Sequence, residues 1–252
     1  VTLEPCAHDS ERGPACADSL IAAGISRLVY ALGDPDPRTN GKGADRLRAA
    51  DMGVAELSSA KAAARRAMAP WLSVMERGRA FVTLKLATSL DGCIARGDGE
   101  SQWITGKVAR AHGHLERARH DMILVGRGTF ESDTPRLDVR LAGLEGESPR
   151  RALLTSGAAP DGWEALASPE AIASLKGVQS ILVEGGAQTA SSFLKAGLVD
   201  RIVHYRAPII LGGGLPCLGD IGLSALAQAH GRWTRVDTRS LGNDTLDVYE
   251  AS

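Results

Sequence analysis

The chain has 252 residues, of which 44% are hydrophobic and 23% charged, and its formal net charge at pH 7 is -1. This length has room for one large domain or two smaller ones, and the charge argues against nucleic acid as a partner. No stretch approaches the roughly 20 apolar residues that span a bilayer, so we expect no membrane association. The 4 cysteines do not indicate a disulfide framework in a chain of this length, so we expect a reducing, cytoplasmic compartment.

The first 58 residues alternate short apolar runs with segments of helical character. The elements predicted there are, in chain order, a helix over 15–23, a strand over 27–32, a helix over 44–52 and a strand over 54–57. Strands that alternate with helices indicate a parallel sheet with helical crossovers. A further helix is predicted from Ala60 to about Glu76, and Pro70 should kink or break it.

A new strand begins at Phe81, after Gly78 has ended the preceding helix. The sequence therefore predicts two domains, 1–73 and 81–252, joined by a linker over 74–80. In the second domain the runs MILVG, ALLTS and SILVEGG are continuously apolar and have the length of strands. Such runs are typical of strands that helices cover on both faces, so we expect a mostly parallel central sheet.

Two of these strands end in glycines that lead directly into a helix, at 126–129 and at 184–186. In open α/β sheets, ligands bind beyond the carboxyl ends of the strands, and a helix N-terminus attracts phosphate. Thr189, Ser191 and Ser192 add hydroxyl donors to the second junction. Neither junction matches the G-x-G-x-x-G dinucleotide motif, and glycines that simply form turns remain the alternative.

Thr105 is predicted to cap a helix that runs to about Arg119. Within that helix Arg110, His114 and Arg117 share one face, because they are separated by four and three residues. Arginine suits the recognition of phosphate. An ordinary solvated helix face explains the same pattern, and the residues alone favour that interpretation.

Lys85 interrupts an otherwise apolar strand, and Arg140 ends the charged loop DTPRLDVR. A lysine inside such a strand is unusual. Its ammonium group either emerges at a sheet edge, which the residues alone favour, or reaches into a site. Arg140 is a second candidate phosphate ligand, with an ordinary charged loop as the alternative.

The stretch VTLEPCAHDSERGPAC has the composition of a metal site, with Cys6, His8 and Cys16 as possible ligands. The other two cysteines, Cys93 and Cys217, are interpreted as free structural thiols, because nothing beside them indicates a metal or redox site.

The ordered set KLATSLDG, ESQWITG, ARHDMILVGRGTFESDTPRLDVR and ILVEGGAQTASSFLKAGLVDR resembles the reductase domain of the bifunctional deaminase/reductase family of riboflavin biosynthesis. TLEPCAH, GPAC and DPDPRTNGKG resemble the second half of the zinc deaminase domain of the same family. The resemblance implies an α/β fold class. A dihydrofolate-reductase-like domain over 81–252 would follow a partial cytidine-deaminase-like α/β domain over 1–73.

The resemblance also implies a reaction. NADPH would reduce the ribose of 5-amino-6-(5-phosphoribosylamino)uracil, a small phosphoribosyl pyrimidine, to a ribityl chain. A full-length relative would in addition use Zn²⁺ to deaminate the diaminohydroxyphosphoribosylaminopyrimidine precursor, with a His-x-Glu motif expected upstream of Val1. A homodimer or larger homo-oligomer is implied. The alternatives are a reductase whose N-terminal half is only structural, and a non-catalytic nucleotide-binding module.

Site residues follow from the match to the family's positions. The positions implied for NADPH are Ala87, Trp103, Thr129, Asp133, Ser156, Gly186, Ala187, Gln188, Thr189, Ala190, Ser191 and Ser192. Those implied for the substrate are Ser101, Arg117, Leu137, Arg140 and Glu184. We assign Lys85 and Glu184 to hydrogen bonding and proton transfer at the reacting sugar. Cys6 and Cys16 are the implied zinc ligands, and His8 is not one of them.

Overall fold

The computed structural model describes residues 1–11 and 13–252. They divide into two compact units, Val1–Gly78 and Arg79–Ser252. The division falls within the stretch 74–80, where the sequence predicts a linker, although most of that stretch is helical. No helix of the described residues is both long and apolar enough to cross a membrane.

The first unit contains a small parallel sheet with helices around it. Its elements are β1 (Arg27–Tyr30), β2 (Gly53–Glu56), α1 (Cys16–Ala22), α2 (Lys42–Ala49), α3 (Lys61–Ala67) and α4 (Ala69–Arg77). The strands β1 and β2 pair in parallel, as the alternation of strands and helices predicts. Pro70 lies in the first turn of α4, where a missing backbone N–H costs nothing, so the long helix predicted from Ala60 is broken into two.

The carboxylate of Glu4 organises the start of α2. Glu4 is buried, and it accepts hydrogen bonds from the backbone N–H of Ala44 at 2.9 Å and of Gly41 at 3.0 Å. These N–H groups belong to the helix start, where no carbonyl of the helix itself can serve them. A Cβ on Gly43 would lie 1.9 Å from the carbonyl oxygen of Pro5, so only glycine allows the N-terminal stretch to approach α2 this closely.

The second unit is built on one large sheet. Its strands are β3 (Phe81–Thr88), β4 (Cys93–Ala95), β5 (Met122–Gly126), β6 (Arg150–Leu154), β7 (Trp163–Leu166), β8 (Ser180–Val183), β9 (Arg201–Arg206), β10 (Leu215–Pro216), β11 (Trp233–Leu241) and β12 (Asp244–Ala251). Its α-helices are α5 (Lys107–Ala118), α6 (Arg127–Asp133) and α7 (Ala187–Lys195). Within the described residues the strand order is β11-β12-β9-β3-β8-β5-β6-β7. The sheet is parallel from β9 to β7, as predicted, and antiparallel at the β11–β12 edge.

Strand β3 presents alternate residues to the two faces of this sheet. On one face Val82, Leu84 and Leu86 belong to a hydrophobic cluster that also contains Phe193 of α7. The intervening residues, Lys85 among them, therefore point to the opposite face. A second cluster there joins strand residues to helix α5.

The start of α5 differs from the prediction that Thr105 caps it. Gly106 is the N-cap residue, and its N–H donates to the carboxylate of Asp244 at 2.7 Å. The carbonyl oxygen of Thr105 accepts a hydrogen bond from the guanidinium of Arg110. The predicted Thr105 cap is wrong, because the helix begins after Gly106, whose N–H is bonded to Asp244, 138 positions further along the chain.

Candidate active site

A cavity of about 320 Å³ lies between α5 and the carboxyl-terminal parts of β3, β8 and β9. Its lining residues are Lys85, Trp103, Thr105, Ala109, Arg110, Gly113, His114, Arg117, Arg140, Glu184 and Tyr205. Five of them are charged at neutral pH, namely the cations Lys85, Arg110, Arg117 and Arg140 and the carboxylate Glu184. The cavity therefore carries an excess of positive charge, which suits an anionic ligand.

Glu184 holds two of these cations at the centre of the cavity. Its side chain is only 7% exposed, and the guanidinium of Arg117 donates to both carboxylate oxygens, Nε to Oε1 at 2.8 Å and Nη2 to Oε2 at 2.9 Å. The ammonium group of Lys85 donates to Oε2 at 3.3 Å. Lys85 reaches inward from β3, which lies between β8 and β9, so the sheet-edge interpretation of this residue is wrong.

The electrostatics of this group keep Glu184 ionised. Burial by itself raises the pKa of Glu184, but Lys85 and Arg117 together lower it to about 2. Burial likewise disfavours the charged form of Arg117, whereas the bonds to Glu184 raise the pKa of Arg117 above its ordinary value. The carboxylate is therefore a permanent anion near neutral pH, and it fixes the positions of both cations.

Tyr205 forms the floor beneath Lys85, a role that the sequence analysis missed. It is 1% exposed, and the ammonium nitrogen of Lys85 lies 5.9 Å from the centre of its ring. The Tyr205 hydroxyl bonds to Nδ1 of His112 at 2.8 Å, and burial raises the pKa of the phenol. The parallel pairing of Ala87 with Tyr205 could not be derived without the sheet order, although the alternation within RIVHYR indicates a buried tyrosine.

The face of α5 that the residue spacing predicts does line the cavity. Arg110, His114 and Arg117 all reach it, and Arg140 approaches from the loop after α6. The interpretation of this face as merely solvated is wrong, because the Arg117 side chain is only 15% exposed and is paired with Glu184. Arg110 lies over the ring of Trp103, with 4.6 Å between its guanidinium carbon and the ring centre.

The two glycine junctions are shaped by helix α7. A Cβ on Gly126 would lie 2.1 Å from Oγ1 of Thr189, and a Cβ on Gly185 would lie 2.5 Å from Cβ of Thr189. Neither glycine has a positive φ, so close packing, and not turn formation, requires them. The Gly186 N–H donates to Oγ1 of Thr129 at 3.1 Å, which links the two junctions.

The other positions implied for a cofactor lie around these junctions or outside the cavity. Gly186 is the N-cap of α7, and its first residues are Ala187, Gln188, Thr189, Ala190, Ser191 and Ser192. Two hydroxyls of this segment are already bonded, since Ser191 accepts from Gly219 N–H and Ser192 donates to the Thr189 carbonyl, each at 2.8 Å. Asp133 ends α6 and is exposed, and so is Ser156, which follows β6.

Arg127 is a residue of the first junction to which the sequence analysis assigned no role. Its Nε and Nη2 donate to Oγ1 of Thr155 at 3.0 and 2.6 Å, beside the exposed Ser156. Its position between two glycines marks it as a junction residue, but its partner lies 28 residues further along.

Three further predicted residues are not cavity-lining side chains. Ala87 is half-buried in β3, and Ser101 precedes the lining residue Trp103 by two positions. Leu137 is 4% exposed and belongs to a hydrophobic cluster with Ile123 and Leu153. Any contribution of Leu137 to ligand binding would therefore come from its backbone.

Cys6 and Cys16 lie close together in the first unit. The backbone N–H of Cys16, the first residue of α1, donates to Sγ of Cys6 at 3.1 Å. His8 bonds instead to Oγ1 of Thr39 at 3.3 Å. In the part of the chain that the structure describes, no three His, Cys, Asp or Glu residues are grouped as metal ligands would be. All four cysteines, Cys93 and Cys217 included, carry free thiols.

The chain is similar to proteins of known family. The family model described as RibD C-terminal domain matches residues 80–246. The riboflavin biosynthesis protein RibD of Mycobacterium tuberculosis is 37% identical over 260 residues, which cover 98% of this chain and 76% of that protein.

Two solved structures are similar over nearly the whole chain. Acinetobacter baumannii RibD has a TM-score of 0.85 at 28% identity, with 99% of this chain and 79% of that chain covered. A diaminohydroxyphosphoribosylaminopyrimidine deaminase/5-amino-6-(5-phosphoribosylamino)uracil reductase from Thermotoga maritima has a TM-score of 0.84 at 27% identity, covering 99% and 78%. These similarities confirm the expected fold class, a dihydrofolate-reductase-like domain preceded by a smaller α/β domain.

Proposed function

Because this chain belongs to the RibD family of riboflavin-biosynthesis proteins and includes its C-terminal reductase domain, we propose that it reduces 5-amino-6-(5-phosphoribosylamino)uracil with NADPH. The product would carry a ribityl chain in place of the ribose. The observation that carries this proposal is the group formed by Lys85, Glu184 and Arg117 at the centre of a cavity with excess positive charge. A side-chain set of this kind is suited to orienting an anionic sugar and delivering a proton to it.

The arginine side chains that line the cavity support a phosphorylated substrate. Arg110, Arg117 and Arg140 line one cavity, and their guanidinium groups match the geometry of phosphate oxygens. Arg117 is already held by Glu184, whereas the Arg140 side chain is 55% exposed and pairs with Oδ1 of Asp138 at 3.4 Å, so a bound phosphate would compete with Asp138 for it. We assign phosphate recognition mainly to Arg140 and Arg117, with Ser101 and the Leu137 backbone beside them.

The glycine junctions fit NADPH. The missing Cβ atoms of Gly126 and Gly185 let α7 approach the strand ends closely, and the first N–H groups of α7 have no carbonyl partner within the helix. Residues 186–192 and Thr129 would hold the cofactor phosphates, with Trp103, Ala87, Asp133 and Ser156 as further contacts. NADPH, when bound, supplies a hydride to the sugar carbon.

Lys85 and Glu184 take unequal parts in this proposal. The pKa of Glu184 lies at about 2, so its carboxylate accepts hydrogen bonds and is a poor proton donor. Lys85 carries three donor hydrogens and touches Glu184 with only one contact at 3.3 Å. We therefore assign proton delivery to the opening ribose to Lys85, and the orientation of Lys85 and Arg117 to Glu184.

We also propose that Cys6 and Cys16 are two ligands of the zinc deaminase site that the family implies. The two cysteines lie close together, since the backbone N–H of Cys16 donates to Sγ of Cys6 at 3.1 Å. Two sulfur donors are too few for a zinc site, which takes three or four protein ligands. A further ligand would have to come from outside the described residues, so no deamination step is derived through these cysteines.

The alternatives differ in what the two units do. A reductase whose N-terminal unit is only structural would consume NADPH without binding zinc. A non-catalytic nucleotide-binding module would bind NADPH without turnover, and the intact contact between Lys85 and Glu184 argues against that loss. A homo-oligomeric state and a cytoplasmic location remain part of the proposal, and the four free thiols suit a reducing compartment.

The test is direct. The purified chain is mixed with NADPH and 5-amino-6-(5-phosphoribosylamino)uracil, and the absorbance of the reduced nicotinamide is followed while the ribityl product is identified by mass spectrometry. Substrate-dependent loss of absorbance supports the reductase. Binding of both ligands without any loss of absorbance would favour the nucleotide-binding module.

A further inference from the structure

His114 is a cavity residue to which the proposed reaction assigns no part. It lies on α5 one turn before Arg117. It lines the same cavity as Arg140, which belongs to the loop after α6. Its imidazole therefore shares the cavity with the two arginines that the proposed function assigns to phosphate, and both act on it electrostatically.

The loop that carries Arg140 determines the orientation of the ring. Nδ1 of His114 lies 3.1 Å from the carbonyl oxygen of Asp138, and it accepts a hydrogen bond from the backbone N–H of Arg140 at 3.3 Å. The same Asp138 carbonyl accepts a hydrogen bond from Nη1 of Arg117 at 3.1 Å. In the neutral ring these two contacts compete, because Nδ1 accepts from the Arg140 N–H only without a hydrogen and donates to the Asp138 carbonyl only with one. In the imidazolium ion both ring nitrogens carry a hydrogen, and Nδ1–H donates to the Asp138 carbonyl.

Nε2 is the atom available to a ligand. Nδ1 is occupied by the loop, and no atom of residues 1–11 or 13–252 makes a hydrogen bond to Nε2 of His114. The imidazole of His114 gains a proton inside this cationic cavity only if the surrounding positive charge is compensated. An anionic ligand would supply that compensation.

The charged groups around His114 act in opposite directions. Burial lowers the pKa of His114, and Arg117 on its own helix and Arg140 on the facing loop lower it further. The Asp138 carbonyl and the Glu184 carboxylate oppose them with smaller effects. Lys85 from β3 and Arg110 from α5 line the same cavity and add positive charge.

We propose that His114 is a phosphate-binding residue whose ring gains a proton when a phosphate monoester enters the cavity. The inference rests on the proposed function, because it takes the phosphoribosyl group as the ligand. A phosphate dianion close to the ring cancels the repulsion from the arginines and favours the imidazolium ion. The proton comes from the solvent, and in the imidazolium ion Nε2–H donates to a phosphate oxygen while Nδ1–H donates to the Asp138 carbonyl.

This arrangement has two consequences. Binding of a phosphorylated sugar takes up a proton at neutral pH, so affinity falls as the pH rises through the pKa of His114 in the complex. An unphosphorylated sugar cannot charge the ring, so the cavity discriminates against it by more than the loss of contacts to the two arginines.

The experiment uses ribose 5-phosphate as the probe and isothermal titration calorimetry near pH 7, where this ligand is mostly a dianion. Titration in two buffers of different ionisation enthalpy measures the number of protons taken up. The wild-type chain is expected to take up a fraction of a proton that His114→Gln does not, because glutamine can donate a hydrogen bond but cannot titrate. His114→Gln should also bind about tenfold more weakly, as a charge-assisted bond becomes a neutral one. His230→Gln, an exposed histidine outside the cavity, is the matched control and should behave like the wild type.

The outcomes separate the inference from the function it rests on. Equal proton uptake by the wild type and His114→Gln, with NADPH consumption intact, overturns the role of His114 and leaves the proposed function standing. If the chain neither binds ribose 5-phosphate nor consumes NADPH, the role of His114 and the proposed function are both refuted. Should His114→Gln fail to fold, NMR titration of the wild-type histidine rings decides, since one ring must show a higher midpoint with ribose 5-phosphate and no such ring would refute the proposal.

Discussion

At the residue scale, the site is governed by one buried anion that holds two cations. Glu184 follows β8, Lys85 projects from β3 and Arg117 from α5, so three separate elements meet at one carboxylate. A buried charge is tolerated only when it is paired and hydrogen-bonded, and each oxygen of Glu184 has a cationic donor. The loss of Glu184 would therefore leave two cations without their shared partner, whereas the loss of either cation leaves Glu184 paired with the other.

Replacement of Lys85 by methionine tests its proposed role in proton delivery. Lys85→Met keeps the apolar stem and removes the ammonium group, so we expect kcat for NADPH consumption to fall by about 100-fold or more. NADPH affinity, measured by fluorescence titration, should remain nearly intact, because the glycine junctions are untouched. Lys176→Met, at an exposed lysine outside the cavity, is the matched control. Unchanged turnover in Lys85→Met would sink the assignment.

The acid dependence of folding tests the pairing of Glu184. Its folded-state pKa of about 2 lies below the ordinary value of 4.5, so the ionised carboxylate stabilises the folded state above about pH 4.5, and this contribution is lost as the pH falls toward 2. Urea unfolding at about pH 7 and pH 3 should show the wild type losing more stability on acidification than Glu184→Gln. Glu131→Gln, at an exposed pair with Arg127, should retain the wild-type difference. Parallel losses in the wild type and Glu184→Gln would contradict the pairing.

At the element scale, helix α7 and strands β5 and β8 fit together through the absence of two side-chain atoms. Thr189 is 6% exposed and fills the space where Gly126 and Gly185 have no Cβ. The helix start is thereby brought against the strand ends at the edge where the proposed cofactor site lies. Position and conformation of α7 should depend on these glycines more than on any residue of its exposed face.

Gly126→Ala tests this fit. The new Cβ would lie 2.1 Å from Oγ1 of Thr189, so α7 must shift, and we expect a loss of about 1–3 kcal/mol in the free energy of unfolding. NADPH affinity should fall in parallel. Gly128→Ala is the matched control, because no atom lies within 4 Å of its added Cβ. Denaturant unfolding and NADPH titration compare the two variants, and equal behaviour would show that the close approach of Thr189 is unimportant.

At the scale of the whole molecule, the cavity and its supporting cores belong to one unit. The hydrophobic clusters around β3 and α5 contain residues of 79–252 alone. The unit begins with an anchored residue, since Arg79 donates to both carboxylate oxygens of Asp200 at 2.6 and 2.8 Å. The cavity lining and these supporting clusters are therefore formed by residues of the second unit.

A fragment of residues 79–252 is accordingly expected to fold cooperatively and to consume NADPH with the phosphoribosylaminouracil. Circular dichroism during thermal unfolding and the nicotinamide absorbance assay measure the two properties. A fragment starting at Phe81 is the comparison, and it should be less stable because it lacks the pair between Arg79 and Asp200. An unfolded or inactive 79–252 fragment would instead support a structural requirement for the first unit.

Features that depend on neighbours along the chain could be predicted from the amino-acid sequence. Apolar runs marked the buried strands, spacing put Arg110, His114 and Arg117 on one helix face, and the ordered motifs identified the family. The strand and helix signals lie within single elements, so periodicity was sufficient to detect them. The motifs follow the order that they have in the family, so resemblance was sufficient to detect that match.

Which of these residues contact one another became known from the folded structure. Lys85 and Glu184 are 99 residues apart, and Gly106 and Asp244 are 138 apart, so the strand order and the packing of α5 bring them together. The same packing places Tyr205 beneath Lys85. It also shows that the glycines of the two junctions are required by close contact with Thr189 and not by turns. Lys85 and Arg117 lower the pKa of the buried Glu184, and the close approach of Thr189 makes a missing Cβ necessary at two glycines. Both effects arise because folding packs distant segments together, so neither is a property of one segment alone.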